Sequence, residues 1–227
     1  MKLFLDTAEI DEIRTAAGWG ILSGVTTNPT LIARAGQQHE DAIREIAEIV
    51  NGPISAETIT KTKNEMVEEG RRYAKWHPNV IVKVVSTPEG IAAGKVLATD
   101  GIRVNVTLCF TVNQALLAAE IGAYFISPFV GRLDDIGQDG MQVVREIVQA
   151  YRAQNIKTQV LAASLRHPVH VTEAALAGAD VATMSFKVME AMFKHPLTDI
   201  GIERFLKDYE QAKAEREREA KAAAKVR

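Results

Sequence analysis

The sequence predicts a protein of the α/β class, a single (β/α)₈ barrel (TIM barrel) with a helical extension at its C-terminus. Eight short segments rich in β-branched and other apolar residues alternate with longer segments of helical period, which is typical of βαβ units in a parallel sheet. A length of 227 residues suits one barrel domain with one large core. The alternative is an open, doubly wound sheet, but the Gly-rich phosphate turn GxGxxG of that fold is absent from the sequence.

The strands are predicted where short β-forming runs end in turn residues or in a helical pattern. They cover residues 2–6, 24–27, 54–57, 80–85, 103–109, 124–129, 158–163 and 181–184. Between them, apolar residues recur at spacings of three and four, as at Ile43, Ile46 and Val50, which predicts helices. These helices include residues 41–50, 61–75, 88–98, 112–120 and 142–153.

The C-terminal segment 199–227 is predicted to be one long charged helix. Its many Glu, Lys, Arg and Ala residues have high helix propensity and form charge pairs at helical spacing. Either this tail is a solvated, fraying end or it contacts another subunit, and the sequence leaves both interpretations open. No repeat, linker or second domain is evident, so residues 1–227 are predicted to form one barrel domain with this tail.

Composition and charge narrow the classes of function. The formal net charge of −2 argues against a strongly cationic surface for nucleic acid or membranes. The single cysteine, Cys109, cannot form an intramolecular disulfide, so nothing indicates an oxidising compartment. No signal peptide is predicted, and no apolar run approaches the roughly 20 residues of a membrane span. We therefore expect a cytoplasmic protein with no nucleic-acid or membrane partner.

Several predicted strands carry polar side chains, although the strands of a parallel barrel are buried on both faces. Residue parity shows which side chains share a face, and several polar ones lie in phase at the carboxyl ends of strands, where barrel enzymes place their chemistry. Val104, Val106 and Leu108 are expected to face the helices. The set that parity assigns to the interior is Phe4, Asp6, Ser55, Glu57, Ile81, Lys83, Val85, Arg103, Asn105, Thr107, Cys109, Ser127 and Phe129.

Lys83 is the most informative of these residues. It lies within the apolar run VIVKVV, where loss of hydration favours the neutral, nucleophilic amine. The structural alternative is a salt-bridged lysine paired with Asp6 or Glu57. Those two carboxylates lie on the first and third strands and could either shuttle protons beside the lysine or form a buried ion-pair cluster.

Two arginines follow late strands, where barrel enzymes favour phosphate sites. Arg132 comes after the sixth strand and Arg166 after the seventh, with Ser127 and Ser164 close by in sequence. Together they could form a bidentate phosphate clamp. The alternative is surface salt bridging, for instance between Arg132 and one of the aspartates that follow it in RLDD.

The two histidines of HPVH, His167 and His170, have a spacing that can bind metal on a helix. No third ligand is evident, and a pair at a helix start is more often structural. We therefore predict no metal site.

Seven motifs occur in order along the chain: LFLDTA, GVTTNPTLI, SAE, the lysine strand IVKV, NVTLCFT, ISPFVGRLDD and AASLRH. This co-linear set resembles the small-subfamily transaldolases and their relatives, the fructose-6-phosphate aldolases. The resemblance covers about residues 1–208 and is far more specific than any one motif. The charged tail lies outside it.

The resemblance implies that Lys83 is the Schiff-base lysine and that Asp6 is the acid/base for the substrate's C4 hydroxyl. Glu57 would act through a water that Thr107 helps to hold. The substrates would be sugar phosphates, with no cofactor, and the family barrel is often assembled as a decamer built from pentamers. The residues that the resemblance assigns to substrate binding are Thr26, Asn28, Ser55, Asn105, Ser127 and Phe129, with Arg132, Ser164 and Arg166 at the phosphate end.

One departure from the family is Val85, since proline usually stands two positions after the lysine. The choice between the sister activities depends on two other positions. The aldolases tend to carry Gln and Tyr where this chain has Glu57 and Phe129, so the resemblance favours a transaldolase. Such an enzyme transfers a dihydroxyacetone unit between a ketose phosphate and an aldose phosphate in the non-oxidative pentose phosphate pathway. Fructose-6-phosphate aldolase is the alternative.

Two further classes of protein are less well supported. A non-catalytic barrel that binds sugar phosphates would be free to lose Lys83, Asp6 or Glu57, and all three are present. A lyase such as deoxyribose-phosphate aldolase would carry a second active-site lysine on a late strand. Ser185 and Lys187, expected on the eighth strand, leave that possible, but the motif order speaks against it.

Overall fold

The strands form a closed parallel barrel in the computed structural model, which describes residues 1–225. Each strand pairs with the next, and β8 returns to pair with β1. The predicted (β/α)₈ fold is therefore confirmed, and the open sheet is wrong because all eight strands pair on both edges and none is left at an edge. The strands are β1 (Lys2–Asp6), β2 (Gly24–Thr26), β3 (Ile54–Glu57), β4 (Val80–Val85), β5 (Val104–Cys109), β6 (Phe125–Pro128), β7 (Gln159–Leu165) and β8 (Val181–Met184).

Helices follow every strand, and local sequence signals mark where they begin. Thr62 and Glu65 form a capping box at the start of α4, each side chain accepting a hydrogen bond from the other residue's backbone. Pro29, Pro88 and Pro168 occupy first turns, where a missing N–H breaks no helical bond. The helices are α1 (Ile10–Gly18), α2 (Pro29–Arg34), α3 (His39–Ile49), α4 (Lys63–Tyr73), α5 (Pro88–Thr99), α6 (Val112–Glu120), α7 (Val130–Asp134), α8 (Gly140–Ala153), α9 (Pro168–Ala177), α10 (Phe186–Ala191) and α11 (Pro196–Lys225).

An apolar cluster fills the barrel interior near the amino ends of the strands. The rings of Phe4 and Phe125 meet edge to face there, with centroids 6.0 Å apart. Gly24 makes room for this packing, since a Cβ at that position would lie 2.5 Å from Cζ of Phe4. A second, larger cluster packs the outer faces of the strands against the helices. The interior cluster consists of Phe4, Ile81, Phe125, Leu161, Ala163 and Val181.

The end of β5 departs from simple alternation. Leu108 has a left-handed φ of 54°, and the pairing with β6 shifts register between Val106 and Cys109. The shift turns Cys109 into the outer core, where its Sγ donates to the carbonyl of Thr111. The prediction that Cys109 faces the interior with Asn105 and Thr107 is therefore wrong, because parity assumes an unbroken strand. Leu108, predicted to pack toward the helices, is only half-buried and lies outside the core clusters.

Other differences from the sequence predictions are small. Arg103, predicted on the interior face, precedes β5 and donates to the carbonyl of Pro78 at 2.6 Å. β7 extends to Leu165 through a second irregularity, with Ser164 at a φ of 58°. Lys187 was predicted on the eighth strand, but it lies on α10 and is exposed. The predicted ends of helices and strands differ from the observed ends by at most three residues.

The chain divides into two compact units, Met1–Met189 and a second that begins at Glu190. The second unit contains α11, which begins at Pro196, three residues before the predicted start of the charged tail. The helical prediction is confirmed up to residue 225, and residues 226–227 of the predicted tail lie outside the described part of the chain. Within residues 1–225, no helix is both long and apolar enough to cross a membrane.

Candidate active site

Lys83 lies at the centre of the polar part of the barrel interior. It is 4% exposed, and β4 places it in register with Glu57 on β3 and with Asn105 on β5. Its Nζ lies 2.9 Å from Oε2 of Glu57 and donates to the carbonyl oxygen of Thr27 at 2.8 Å. The ion pair considered as the structural alternative is therefore present. It also puts a proton acceptor directly beside the amine, as amine chemistry requires.

Asp6 enters the same interior space from β1. The hydroxyl of Thr26 donates to its Oδ1 at 2.7 Å. Since that hydroxyl has one proton, the 2.7 Å contact between Thr26 and Thr183 has Thr183 as donor. Burial raises the pKa of Asp6 above its ordinary value of 3.8, against the opposing effects of Lys83 and of the Thr26 hydrogen bond. A carboxyl group with a raised pKa is suited to take up and return a proton.

A hydrogen-bonded chain of three side chains lies next to the lysine. Ser127 Oγ donates to Oδ1 of Asn105 at 2.7 Å, and Nδ2 of Asn105 donates to Oγ of Ser55 at 3.2 Å. These bonds determine which way the Asn105 amide points. All three residues are buried, and Ser55 and Asn105 have no exposed surface.

Thr107 is the buried polar residue without a protein partner at this site. It is 1% exposed, and its hydroxyl has no hydrogen bond to any described residue. Thr107 on β5 is in register with Val85 on the neighbouring strand β4, and Val85 lies two residues after Lys83. A buried hydroxyl left unpaired is costly, so this group is available to bind a water or a substrate atom. Val85 itself continues β4 in regular pairing where the family usually has proline.

The residues predicted for the phosphate end are Arg132 on α7, Ser164 near the end of β7 and Arg166 directly after that strand. Arg132 is exposed, and its Cζ is 5.2 Å from the ring centre of Phe129. Arg166 forms an ion pair with Asp135, with Nη2 2.8 Å from Oδ2. Among the described residues, neither aspartate of RLDD pairs with Arg132. Asp134 accepts from the backbone N–H of Gly140 and lies 3.3 Å from Nε2 of His170, and Asp135 pairs with Arg166.

One residue predicted for the sugar site, Asn28, and the histidine pair of HPVH have clear structural roles. Asn28 caps α2, with its Oδ1 accepting from the N–H of Leu31 at 3.0 Å. The rings of His167 and His170 lie 3.8 Å apart at the start of α9, where His167 accepts from the N–H of His170. Burial lowers the pKa of His170, which accepts from the N–H of Arg166. Within residues 1–225, no group of three or more His, Cys, Asp or Glu side chains could hold a metal ion.

Sequence reasoning missed three contacts of this site. Thr183 follows Val181 at interior parity on β8, so parity alone could have identified it. The carbonyl of Thr27 that receives Lys83 carries no signal in the sequence, because any residue supplies a carbonyl. The pairing of Asp135 with Arg166 joins residues 31 positions apart, and only the fold shows it.

Comparison with known proteins gives a consistent result. The family model described as "Transaldolase/Fructose-6-phosphate aldolase" matches residues 3–226. A probable transaldolase from Roseiflexus castenholzii is 64% identical over 210 residues, which cover 92% of this chain and 97% of that protein. One from Herpetosiphon aurantiacus is 58% identical over 211 residues, covering 93% and 96%. Among solved structures, thiamine phosphate pyrophosphorylase from Pyrococcus furiosus aligns with a TM-score of 0.54 over 81% of this chain and 85% of that one. At 16% identity, it shows the shared fold alone.

Proposed function

The chain belongs to the transaldolase/fructose-6-phosphate aldolase family, and on that premise we propose that it is a transaldolase acting through a Schiff base on Lys83. It would transfer a dihydroxyacetone unit from fructose 6-phosphate or sedoheptulose 7-phosphate to erythrose 4-phosphate or glyceraldehyde 3-phosphate. We assign it to the non-oxidative pentose phosphate pathway in the cytoplasm. The observation that carries the proposal is the buried Lys83 amine 2.9 Å from the carboxylate of Glu57, with Glu57 at the carboxyl end of β3 and Lys83 two residues before that of β4.

Formation of the imine begins with proton transfer from Lys83 to Glu57. The neutral amine attacks C2 of the ketose phosphate, and the carbinolamine loses its hydroxyl as water to give the iminium. Glu57 returns the proton that this water requires. The Thr107 hydroxyl, buried and without a protein partner, supports a role in holding the water.

Cleavage then uses the carboxylate on β1. Asp6 takes the proton from the C4 hydroxyl, the C3–C4 bond breaks, and its electron pair moves into the iminium to form an enamine. The shortened aldose phosphate leaves. The enamine attacks the incoming aldehyde, and Asp6 returns its proton to the new hydroxyl. Because the imine itself is the electron sink, we expect this reaction to need no metal or organic cofactor.

Substrate binding divides between two ends of the site. The polar residues around Lys83 are suited to sugar hydroxyls, although each of them also bonds to a protein group. These residues are Thr26, Asn28, Ser55, Asn105 and Ser127. Two exposed arginines from adjacent elements support a phosphate clamp, with Ser164 beside them on β7. The residues we propose for the sugar end are Thr26, Asn28, Ser55, Asn105, Ser127 and Phe129, and those for the phosphate end are Arg132, Ser164 and Arg166.

The choice of transfer over release depends on Glu57 and Phe129. A carboxylate can carry a proton to and from the reactive water in a way that an amide cannot. Phe129 presents an apolar ring, packed against Phe110 at 6.1 Å, where a tyrosine would add a hydroxyl. The family resemblance associates this pair of residues with keeping the enamine until an acceptor aldehyde arrives. Fructose-6-phosphate aldolase is the second candidate, since it uses the same imine.

One experiment tests both the imine and its fate. The protein is given fructose 6-phosphate with and without erythrose 4-phosphate, and glyceraldehyde 3-phosphate is measured with a coupled dehydrogenase. A transaldolase forms it at least about tenfold faster with the acceptor, because otherwise the enamine is held on the enzyme. Sodium borohydride added without acceptor should reduce the adduct, and mass spectrometry should locate it on the peptide that contains Lys83.

The Lys83→Met variant is the control for the adduct, since its side chain has similar length but no amine. It should show neither product nor adduct. Equal rates with and without acceptor would replace the transaldolase with the aldolase. Turnover by the Lys83→Met variant, or an unmodified Lys83 peptide in the active protein, would reject the Schiff base.

A further inference from the structure

The Arg166 side chain is held in place by Gly131 on α7 and by Asp135, the residue that ends this helix. It extends over Gly131, where a Cβ would lie 2.3 Å from Nε and 2.7 Å from Cγ of the arginine. Its Nη2 donates to Oδ2 of Asp135 at 2.8 Å, four residues further along the same turn. In residues 1–225 this is the only hydrogen bond of the guanidinium.

The backbone around these residues supports the same arrangement. Ser164, at a left-handed φ of 58°, brings its carbonyl oxygen within 2.4 Å of the place where a Gly131 Cβ would stand. Phe129, just before α7, pairs in parallel with Ala163 on β7. The start of α7 and the end of β7 therefore meet at a glycine, and the arginine side chain crosses that contact.

We propose that Asp135 is a positioning residue that makes this site prefer phosphorylated substrates, by holding the Arg166 guanidinium in one orientation over Gly131. The inference rests on the proposed function, in which Arg166 binds the substrate phosphate. A guanidinium has five N–H donors, and Asp135 contacts only one nitrogen. The other donors remain free to bind a phosphate in a bidentate manner.

The alternative effect of Asp135 is repulsion of the incoming phosphate by its negative charge. Both groups of the pair are about half exposed or more, at 52% for Arg166 and 62% for Asp135, so water and salt screen that repulsion. An arginine without such a partner loses the rotational freedom of its side-chain torsions when it binds phosphate. The bond to Asp135 restricts these torsions before phosphate binds, so less entropy is lost on binding. Exposed ion pairs are worth at most about 1 kcal/mol, which limits the effect to about fivefold.

The test measures phosphate binding separately from catalysis. Glycerol 3-phosphate has no ketone and cannot form an imine, so its Kd by titration calorimetry reports on the clamp alone. Asp135→Ala should raise this Kd about two- to fivefold, and the KM for fructose 6-phosphate by the same factor with kcat unchanged. Asp135→Asn should raise the Kd less, because its amide oxygen still accepts from Nη2. The kcat/KM for unphosphorylated fructose should not change.

The matched control is Asp100→Ala, which removes the aspartate from a pair with Arg71 of the same 2.8 Å length, between α4 and the end of α5. It should leave the Kd for glycerol 3-phosphate unchanged. An unchanged or lower Kd in Asp135→Ala would overturn the positioning role. A protein that binds glycerol 3-phosphate more weakly as Asp135→Ala, but whose wild type turns over no ketose phosphate, would support this inference and reject the transaldolase.

Discussion

Three ionisable side chains, Asp6, Glu57 and Lys83, share the polar part of the barrel interior with neutral hydroxyl and amide groups. Burial raises the pKa of Asp6 in spite of the nearby lysine, so the dominant effect on this carboxyl is loss of water. A buried carboxyl group whose pKa is raised by loss of water is typical of a site where function has been favoured over stability. Lys83 has Glu57 and the Thr27 carbonyl as compensation.

At the residue scale, we predict that Asp6→Asn gives a more stable but inactive protein. An acid whose pKa is higher in the folded than in the unfolded chain binds more protons when the chain is folded. The stability of the wild type should therefore fall as the pH rises above 3.8, the ordinary pKa of this carboxyl group. The amide can still accept from Thr26 and does not ionise. Its advantage should therefore grow from about pH 4 upward, and kcat should fall by about 10² or more.

Urea denaturation of both proteins at a series of pH values measures this difference, together with turnover of fructose 6-phosphate. Asp41→Asn, an exposed aspartate on α3, controls for amide substitution as such. Equal stability of Asp6→Asn and wild type at neutral pH would show that Lys83 and Thr26 fully compensate the buried carboxylate.

At the scale of elements, two strands break the regular alternation just where the site begins. Leu108 on β5 and Ser164 on β7 both have left-handed φ values, which cost a residue other than glycine about 1–3 kcal/mol. The first irregularity leaves Thr107 in the interior while Cys109 turns into the outer core. The second brings the Ser164 carbonyl against Gly131. We interpret both as features that shape the site.

Another element is joined to the site by a buried carboxylate. Glu69 on α4 is 7% exposed and accepts from the backbone N–H of Ile59, and from both the N–H and the hydroxyl of Thr60. Its other oxygen accepts from Tyr73, whose pKa is raised to about 12 by burial and then by Glu69. The loop that these bonds hold begins directly after Glu57, so α4 stabilises the segment that follows the proton acceptor.

Glu69→Leu should therefore destabilise the protein by about 3 kcal/mol, because it leaves the buried Tyr73 hydroxyl and the part-buried donors of Ile59 and Thr60 without an acceptor. Glu69→Gln keeps one carbonyl oxygen and should lose less. The free energy of unfolding in urea measures both. Thr62→Ala, which removes the exposed N-cap side chain of the same helix, is the comparison and should cost about 1 kcal/mol. A loss from Glu69→Leu no larger than this would contradict the anchoring role.

At the scale of the whole molecule, α11 raises the question of assembly. Its first half carries an apolar stripe at helical spacing, formed by Ile202, Phe205, Leu206 and Tyr209, and all four side chains are exposed. Stripes of this kind commonly mark protein interfaces. The stripe supports the expectation, implied by the family resemblance, that the chain forms a homo-oligomer. In the family this is often a decamer built from two pentamers.

We predict a sedimentation mass well above the 24.8 kDa of the chain, about ten times that value for a decamer. The double variant Phe205→Asp, Tyr209→Asp should lower the mass, because it places two charges in the stripe. Lys207→Asp, on the same helix between the two positions, is the control for added negative charge and should keep the wild-type mass. A wild-type protein that sediments as a single chain would reject the assembly.

Much of the fold could be predicted from the sequence because its signals are local. Apolar spacing, β-branched runs and prolines at helix starts depend on neighbours within a few residues, and they placed every strand to within two residues. Parity correctly brought Asp6, Glu57, Lys83 and Thr107 into one interior. It failed for Cys109, because a single residue with a left-handed φ reverses the face of everything after it.

The sequence by itself determined the barrel, its family and the amine-bearing strand, since each is encoded in periodic patterns and ordered motifs. Only the tertiary structure decided which groups meet: Lys83 with Glu57 and the Thr27 carbonyl, Thr183 with Thr26, and Arg166 with Asp135 over Gly131. These contacts join residues between 26 (Glu57 to Lys83) and 157 (Thr26 to Thr183) positions apart, or involve backbone carbonyls that every residue possesses. Hydrogen bonds and ion pairs form only between atoms about 3 Å apart in space. The number of residues between two groups in the sequence does not tell how far apart they lie in the folded chain.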